Sequence, residues 1–121
     1  MTWLAVAVAG AIGASARYAI GSSIGVRFFP WVTLGINVSG SFLLTFLVAG
    51  PLAERLSTAA GIAVTVGFLG AFTTFSTFGY ETVALVRDDR WGTAAVYVAA
   101  SMVLGLGGAA LGYWLGRAVS N

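Results

Sequence analysis

The chain has 121 residues, of which 59% are hydrophobic and only 8% charged, with a formal net charge of +2. A soluble domain carries about 25% charged residues, so this chain cannot cover a water-facing surface and reads as a single integral membrane domain, 1–121. With no Cys, His or Lys, it lacks thiolate and imidazole chemistry, and an enzyme is not expected.

A membrane-spanning helix needs about 20 mainly apolar residues, and four such stretches follow one another: 2–24, 31–53, 58–86 and 92–117. The first opens on Met1–Ala9, and Ala14-Ser15-Ala16 gives it a slight likeness to a cleavable leader. No basic residue precedes the apolar run, which continues past Ala16, so a retained span is expected. It also carries Arg17 and the pair Gly21-xxx-Gly25. The connector Val26–Pro30 ends it, since proline cannot continue a helix.

The second span places Thr33, Asn37, Ser41 and Thr45 four residues apart, so they share one helix face. An amide and three hydroxyls in a stretch otherwise rich in Leu, Val and Phe predict a file of hydrogen-bonding sites; Ser39 lies off it. Hydroxyls in membrane helices also bond back to their own carbonyls, which accounts for a single Ser or Thr better than for Asn37. Pro51 and Glu54-Arg55 close this span.

The third span holds the most informative stretch, Gly67 to Glu81. Thr73, Thr74, Ser76 and Thr77 are nearly consecutive and point all round a helix, beside Gly67, Gly70 and Gly79. β-Branched and glycine residues weaken regular helix, and the pattern leaves two readings open. One is a helix broken at mid-membrane, whose freed carbonyls need a partner such as a cation; the other is an intact helix with hydroxyls bonding neighbours. Phe75 and Phe78 share a face, and an aromatic edge is positive, so it would attract an anion weakly; plain packing explains the pair equally. Arg17 and Glu81, the charges inside spans, need partners or water: each other, an interface, or a passing ion. Arg87-Asp88-Asp89-Arg90 then leads to the fourth span, where Thr93, Tyr97 and Ser101 form a weaker polar stripe running into Gly105.

All six basic residues are Arg. Four spans put Arg55 and Arg117 on one side and Arg27, Arg87 and Arg90 on the other, which is barely a bias under the positive-inside rule. Insertion in both orientations, with antiparallel pairing, is therefore expected; the alternative is that Arg90 or the amino terminus decides one topology. Gly108-xxx-Gly112-xxx-Gly116 permits close helix approach, either between chains or within one.

Three runs together carry a resemblance. Gly10-x-x-Gly13-Ala14-x-x-Arg17-Tyr18, Thr33-Leu34-x-x-Asn37-x-x-Gly40-Ser41-Phe42-Leu43 and Gly67-Phe68-x-Gly70-x-x-Thr73-Thr74-Phe75-Ser76-Thr77-Phe78 stand in order. With the length and the four-span layout, they resemble the Fluc/CrcB fluoride channels of bacteria and archaea over the whole chain. The resemblance implies an all-α membrane protein with a broken third helix. It implies a dual-topology antiparallel homodimer in the plasma membrane, with two fluoride pathways that export fluoride passively and no nucleic-acid partner. It further implies a structural sodium ion on the dimer axis, held by backbone carbonyls that fall at Gly70 and Thr73. Asn37 would hydrogen-bond fluoride, Phe75 and Phe78 would be the pore phenylalanines, and Thr33, Ser41, Ser76, Thr77, Tyr97 and Ser101 would complete the polar path. Arg17 would be the vestibule arginine and Glu81 the pore-associated carboxylate. Two departures from the family pattern are Leu69 and Ala71, where many members have Cys and Gly. A third is Gly105, where members carry a hydroxyl, which leaves the far end of the fourth-span track without a donor.

Two other classes fit a four-span chain of this size. A proton-coupled exporter of small cations would want a carboxylate in the first span, where this chain has Arg17. A non-transporting assembly subunit would tolerate substitution at Asn37 and Phe78 as long as the fold persists.

Overall fold

Each boundary between helices has a local cause. The computed structural model describes Met1–Asn121 and is helical throughout, with α1 spanning Thr2–Ile24, α2 Trp31–Ala49 and a short α3 Leu52–Arg55. α1 ends at Gly25, whose φ of 73° lies in the left-handed region and is open to glycine without strain. α2 starts directly after Pro30 and stops at Gly50, which is extended and followed by Pro51. The second span is thus shorter than 31–53, and Pro51 opens α3 instead of prolonging α2.

The third span, Thr58–Arg87, is long and apolar enough to cross a membrane but is built from four pieces: α4 Thr58–Ile62, a π-helical stretch Ala63–Leu69, α5 Gly70–Phe72 and α6 Phe75–Arg87. Ser57 caps α4 by accepting from the Ala60 N–H at 3.3 Å. The wide turn is completed where the Gly70 N–H reaches the Thr65 carbonyl. Thr73 and Thr74 are extended, with ψ of 155° and 115°, a conformation β-branched residues favour. The Thr74 hydroxyl then caps α6, accepting from the Thr77 N–H at 3.2 Å. The helix is therefore broken between α5 and α6. Asp89 (φ 57°) reverses the chain into α7, Trp91–Ser120, which begins one residue before and ends three residues after the expected fourth span.

Four helices qualify as spans: Thr2–Ile24, Trp31–Ala49, Thr58–Arg87 and Trp91–Ser120. The chain is a multi-pass membrane protein. α2 pairs most extensively with α7, while α1 lies against the π-helical stretch and α5. Glycines set both seams. A Cβ on Gly112 would run into the Phe42 carbonyl, and one on Gly116 would stand 2.7 Å from the Phe46 carbonyl. Gly67 likewise leaves only 2.9 Å between a would-be Cβ and the Val6 carbonyl. The Gly108–Gly112–Gly116 row is thus used inside the chain, whereas Gly21 and Gly25 have no neighbour within 4 Å of a would-be Cβ.

Only 14 of 121 residues are buried, so most apolar side chains face outward, as lipid or a second protein surface requires. The small core of Leu34, Phe78, Leu85, Ala94 and Tyr97 joins α2, α6 and α7. It sits beside the break in the third span and holds two of the aromatic side chains singled out in the sequence.

Candidate functional site

The break leaves peptide groups without helical partners, and Asn37 takes two of them. Its Nδ2 donates to the Thr74 carbonyl at 3.0 Å, and the Thr74 N–H donates to its Oδ1 at 2.7 Å. One amide side chain thereby holds both backbone polar groups of residue 74, which an ionised Asp at 37, having no donor, could not do. Around Thr74 Oγ1 gather the hydroxyls of Thr77 at 3.0 Å and Ser76 at 3.3 Å.

Two cavities meet at this point, and Thr74 is the one residue that lines both. The larger, about 770 Å³, opens between the ends of α1, α2 and α6 and is bordered by Arg17, Thr33, Thr77 and Glu81 together with Arg27 and Arg90. The smaller, about 290 Å³, lies between α2, the break and α7, and is bordered by Asn37, Ser41, Phe75, Phe78 and Ser101. Gly105 also borders it, with open space where a side chain would stand. Charge thus collects in the wide cavity, and no charged side chain borders the narrow one.

The buried hydroxyls tie down the carboxylate. Thr33 Oγ1 donates to Glu81 Oε1 at 2.7 Å, and the Tyr97 hydroxyl donates to Glu81 Oε2 at 2.6 Å. Tyr97 is fully buried and packs edge-on against Phe78, ring centroids 5.2 Å apart. Phe75 lies 5.6 Å from Phe78 by centroid, yet is 79% exposed. Arg17 does not pair with Glu81: its Nε donates to the Ala71 carbonyl at 3.2 Å, at the end of α5, where a helix C-terminus favours positive charge.

The second-span stripe is therefore divided among several tasks. Thr33 faces the wide cavity and serves Glu81, Asn37 clamps the break, and Ser41 borders the narrow cavity. Thr45 is spent on structure, donating across the α2–α7 seam to the Ala109 carbonyl at 2.7 Å. Ser39 bonds back to the Ile36 carbonyl. Ser76 borders neither cavity. Sequence reasoning missed Ala109, Met102 and Leu106 in the narrow cavity. Ala109 was within reach, because Ser101, Gly105 and Ala109 continue the same four-residue spacing.

The carbonyls of Gly70 and Thr73 suit a hard monovalent cation. The Thr74 N–H, which helical geometry would turn to Gly70, goes to Asn37, and the Thr77 N–H, which would reach Thr73, goes to Thr74 Oγ1. No loop N–H reaches either oxygen. Both lie at the negative end of a helix, and Gly70 is exposed on the surface of the chain, so a second copy is free to approach it.

The sequence model of CrcB-like proteins (camphor resistance, CrcB) matches residues 4–113. A fluoride-specific ion channel from Acidobacterium capsulatum is 43% identical, with 100% of this chain and 97% of the relative covered. One from Thermus thermophilus is 44% identical over 97% of this chain and 96% of its own length, and one from Geobacter sulfurreducens is 43% identical over 95% and 93%. On this full-length match and the four-span architecture, the chain belongs to the CrcB-like family of multi-pass membrane proteins.

Proposed function

We propose that the chain is a fluoride-selective channel of the plasma membrane that lets fluoride leave the cytoplasm passively and so lowers its toxicity. It works as a dual-topology antiparallel homodimer with two pathways. The observation that carries the reading is the Asn37–Thr74 clamp between a wide arginine-bordered cavity and a narrow neutral one, in a chain whose relatives are named fluoride-specific channels.

Fluoride is small and tightly hydrated, so leaving water demands several positioned donors. Arg17 and its neighbours raise the anion concentration at the wide cavity. Asn37, Thr77, Ser41 and Ser101 replace the hydration shell stepwise. Neutral donors and the positive edges of Phe75 and Phe78 keep each station weak enough to leave. Glu81, satisfied by Thr33 and Tyr97, holds those hydroxyls in place and offers no free carboxylate to a cationic substrate. The carbonyls of Gly70 and Thr73 from both copies would hold a sodium ion on the dimer axis, where it would neutralise their converging dipoles and lock the break.

The test is fluoride efflux from liposomes bearing purified dimers of the parent, Asn37→Asp and Phe78→Ile. Asn37→Asp is expected to cut fluoride flux by at least tenfold, since a carboxylate cannot donate to Thr74 and repels an anion; Phe78→Ile should do the same by removing the aromatic edge. Parent-like flux from both folded variants would overturn the pathway.

A further inference from the structure

Arg90 ties the loop between α1 and α2 to the start of α7. Arg90 directly precedes α7, and its Nη2 donates to the Phe28 carbonyl. The same guanidinium lies over the Phe28 ring, Cζ 3.6 Å from the centroid. Its Nε is shielded and finds no acceptor, so Phe28 both accepts from this group and stacks against it. The arrangement needs a planar fork that can stack and donate at once, which an ammonium cannot match.

The residue after Phe28 gives the clamp a target. Phe29 sets its ring 4.5 Å from Trp31 and edge-on to Tyr97, 5.6 Å between centroids with an interplanar angle of 82°. Its carbonyl accepts the Trp31 N–H at 2.8 Å. Tyr97 in turn gives its hydroxyl to Glu81. We infer that Arg90 is a positioning residue: by pinning Phe28 it seats Phe29 against Tyr97, and so fixes the hydroxyl that holds the Glu81 carboxylate beside the wide cavity.

The rival role for Arg90 is charge alone, since it also borders the wide cavity and would draw anions there. The two roles separate experimentally. Positioning acts on passage past Glu81, so maximal flux falls while the fluoride concentration at half-maximal flux stays put. Charge acts on recruitment, so the half-maximal concentration rises and Lys restores it.

The effect on ion passage rests on the channel reading; the effect on Glu81 does not, and each has its own measurement. In reconstituted full-length protein, Arg90→Gln and Arg90→Lys are both expected to lower maximal fluoride flux about threefold to fivefold, the scale of one cation–π contact. Phe28→Leu should lower it similarly, and Phe28→Trp, which keeps the carbonyl and a ring, should recover most of that loss. Parent-like flux from Arg90→Lys would overturn the positioning role. Independently of any flux, the infrared difference between the parent and Glu81→Gln isolates the Glu81 carboxyl band. That band is expected to shift in Arg90→Gln, and an unmoved band would overturn the inference even if the parent conducts nothing.

Discussion

At the scale of single residues, the decisive groups are those that satisfy broken backbone. Asn37 spends its amide oxygen and one of its two N–H donors on Thr74, so its replacement costs structure as well as any role in binding. Losing one partner of a buried hydrogen bond costs about 1–3 kcal/mol, and Asn37→Asp should lower thermal stability in detergent by that scale alongside its flux defect. Thr45 is the contrasting case. Its hydroxyl bridges to Ala109 across a seam, and it borders neither cavity. Thr45→Val is expected to cost about 1 kcal/mol of stability and leave fluoride flux within about twofold of the parent; a tenfold flux loss would place Thr45 on the path. The sequence alone could not separate the two, because Thr33, Asn37, Ser41 and Thr45 share one face. Their tasks differ only through α6 and α7. Arg17 and Glu81 show the same limit: opposite charges in two spans invite pairing, but Glu81 found hydroxyls 48 and 16 residues away and Arg17 found a carbonyl.

At the scale of elements, the spans were legible because apolar runs and prolines mark them directly. α1 matches its expected range. Local composition at Thr73-Thr74 left a broken and an intact third helix open, and the break was implied only by the family resemblance. The π-helical stretch was not legible. It forms where Gly67 meets the Val6 backbone, a contact that local composition does not encode. The glycine rows were visible but not their destination. Gly112→Ala is expected to destabilise the monomer fold by about 1–3 kcal/mol, the usual cost of overpacking, because its Cβ would meet the Phe42 carbonyl. Gly21→Ala, with nothing within 4 Å, should leave the fold unchanged. Equal thermal stability of the two variants in detergent would contradict the seam.

At the scale of the molecule, many large apolar side chains are exposed, a feature that suits a pair better than a lone chain. Because the chain has no Cys, a single cysteine reports orientation cleanly. Glu54→Cys in intact cells should react with a membrane-impermeant maleimide in about half of the molecules, whereas a fixed topology would give nearly all or nearly none. A sodium ion held between the proposed pair would stabilise it by mass action, about 2.7 kcal/mol when sodium is a hundredfold above its dissociation constant. Exchanging sodium for a large organic cation should therefore lower the melting temperature and the flux together. Unchanged values for both would remove the axial ion.

The most direct measurement loads liposomes containing the purified protein with fluoride and chloride, and follows both with ion-selective electrodes after a potassium ionophore is added. Rapid loss of fluoride with chloride retained is the expected result and establishes a selective passive pathway. Retention of both ions by verified folded dimers, or equal loss of the two, would contradict the fluoride-selective channel.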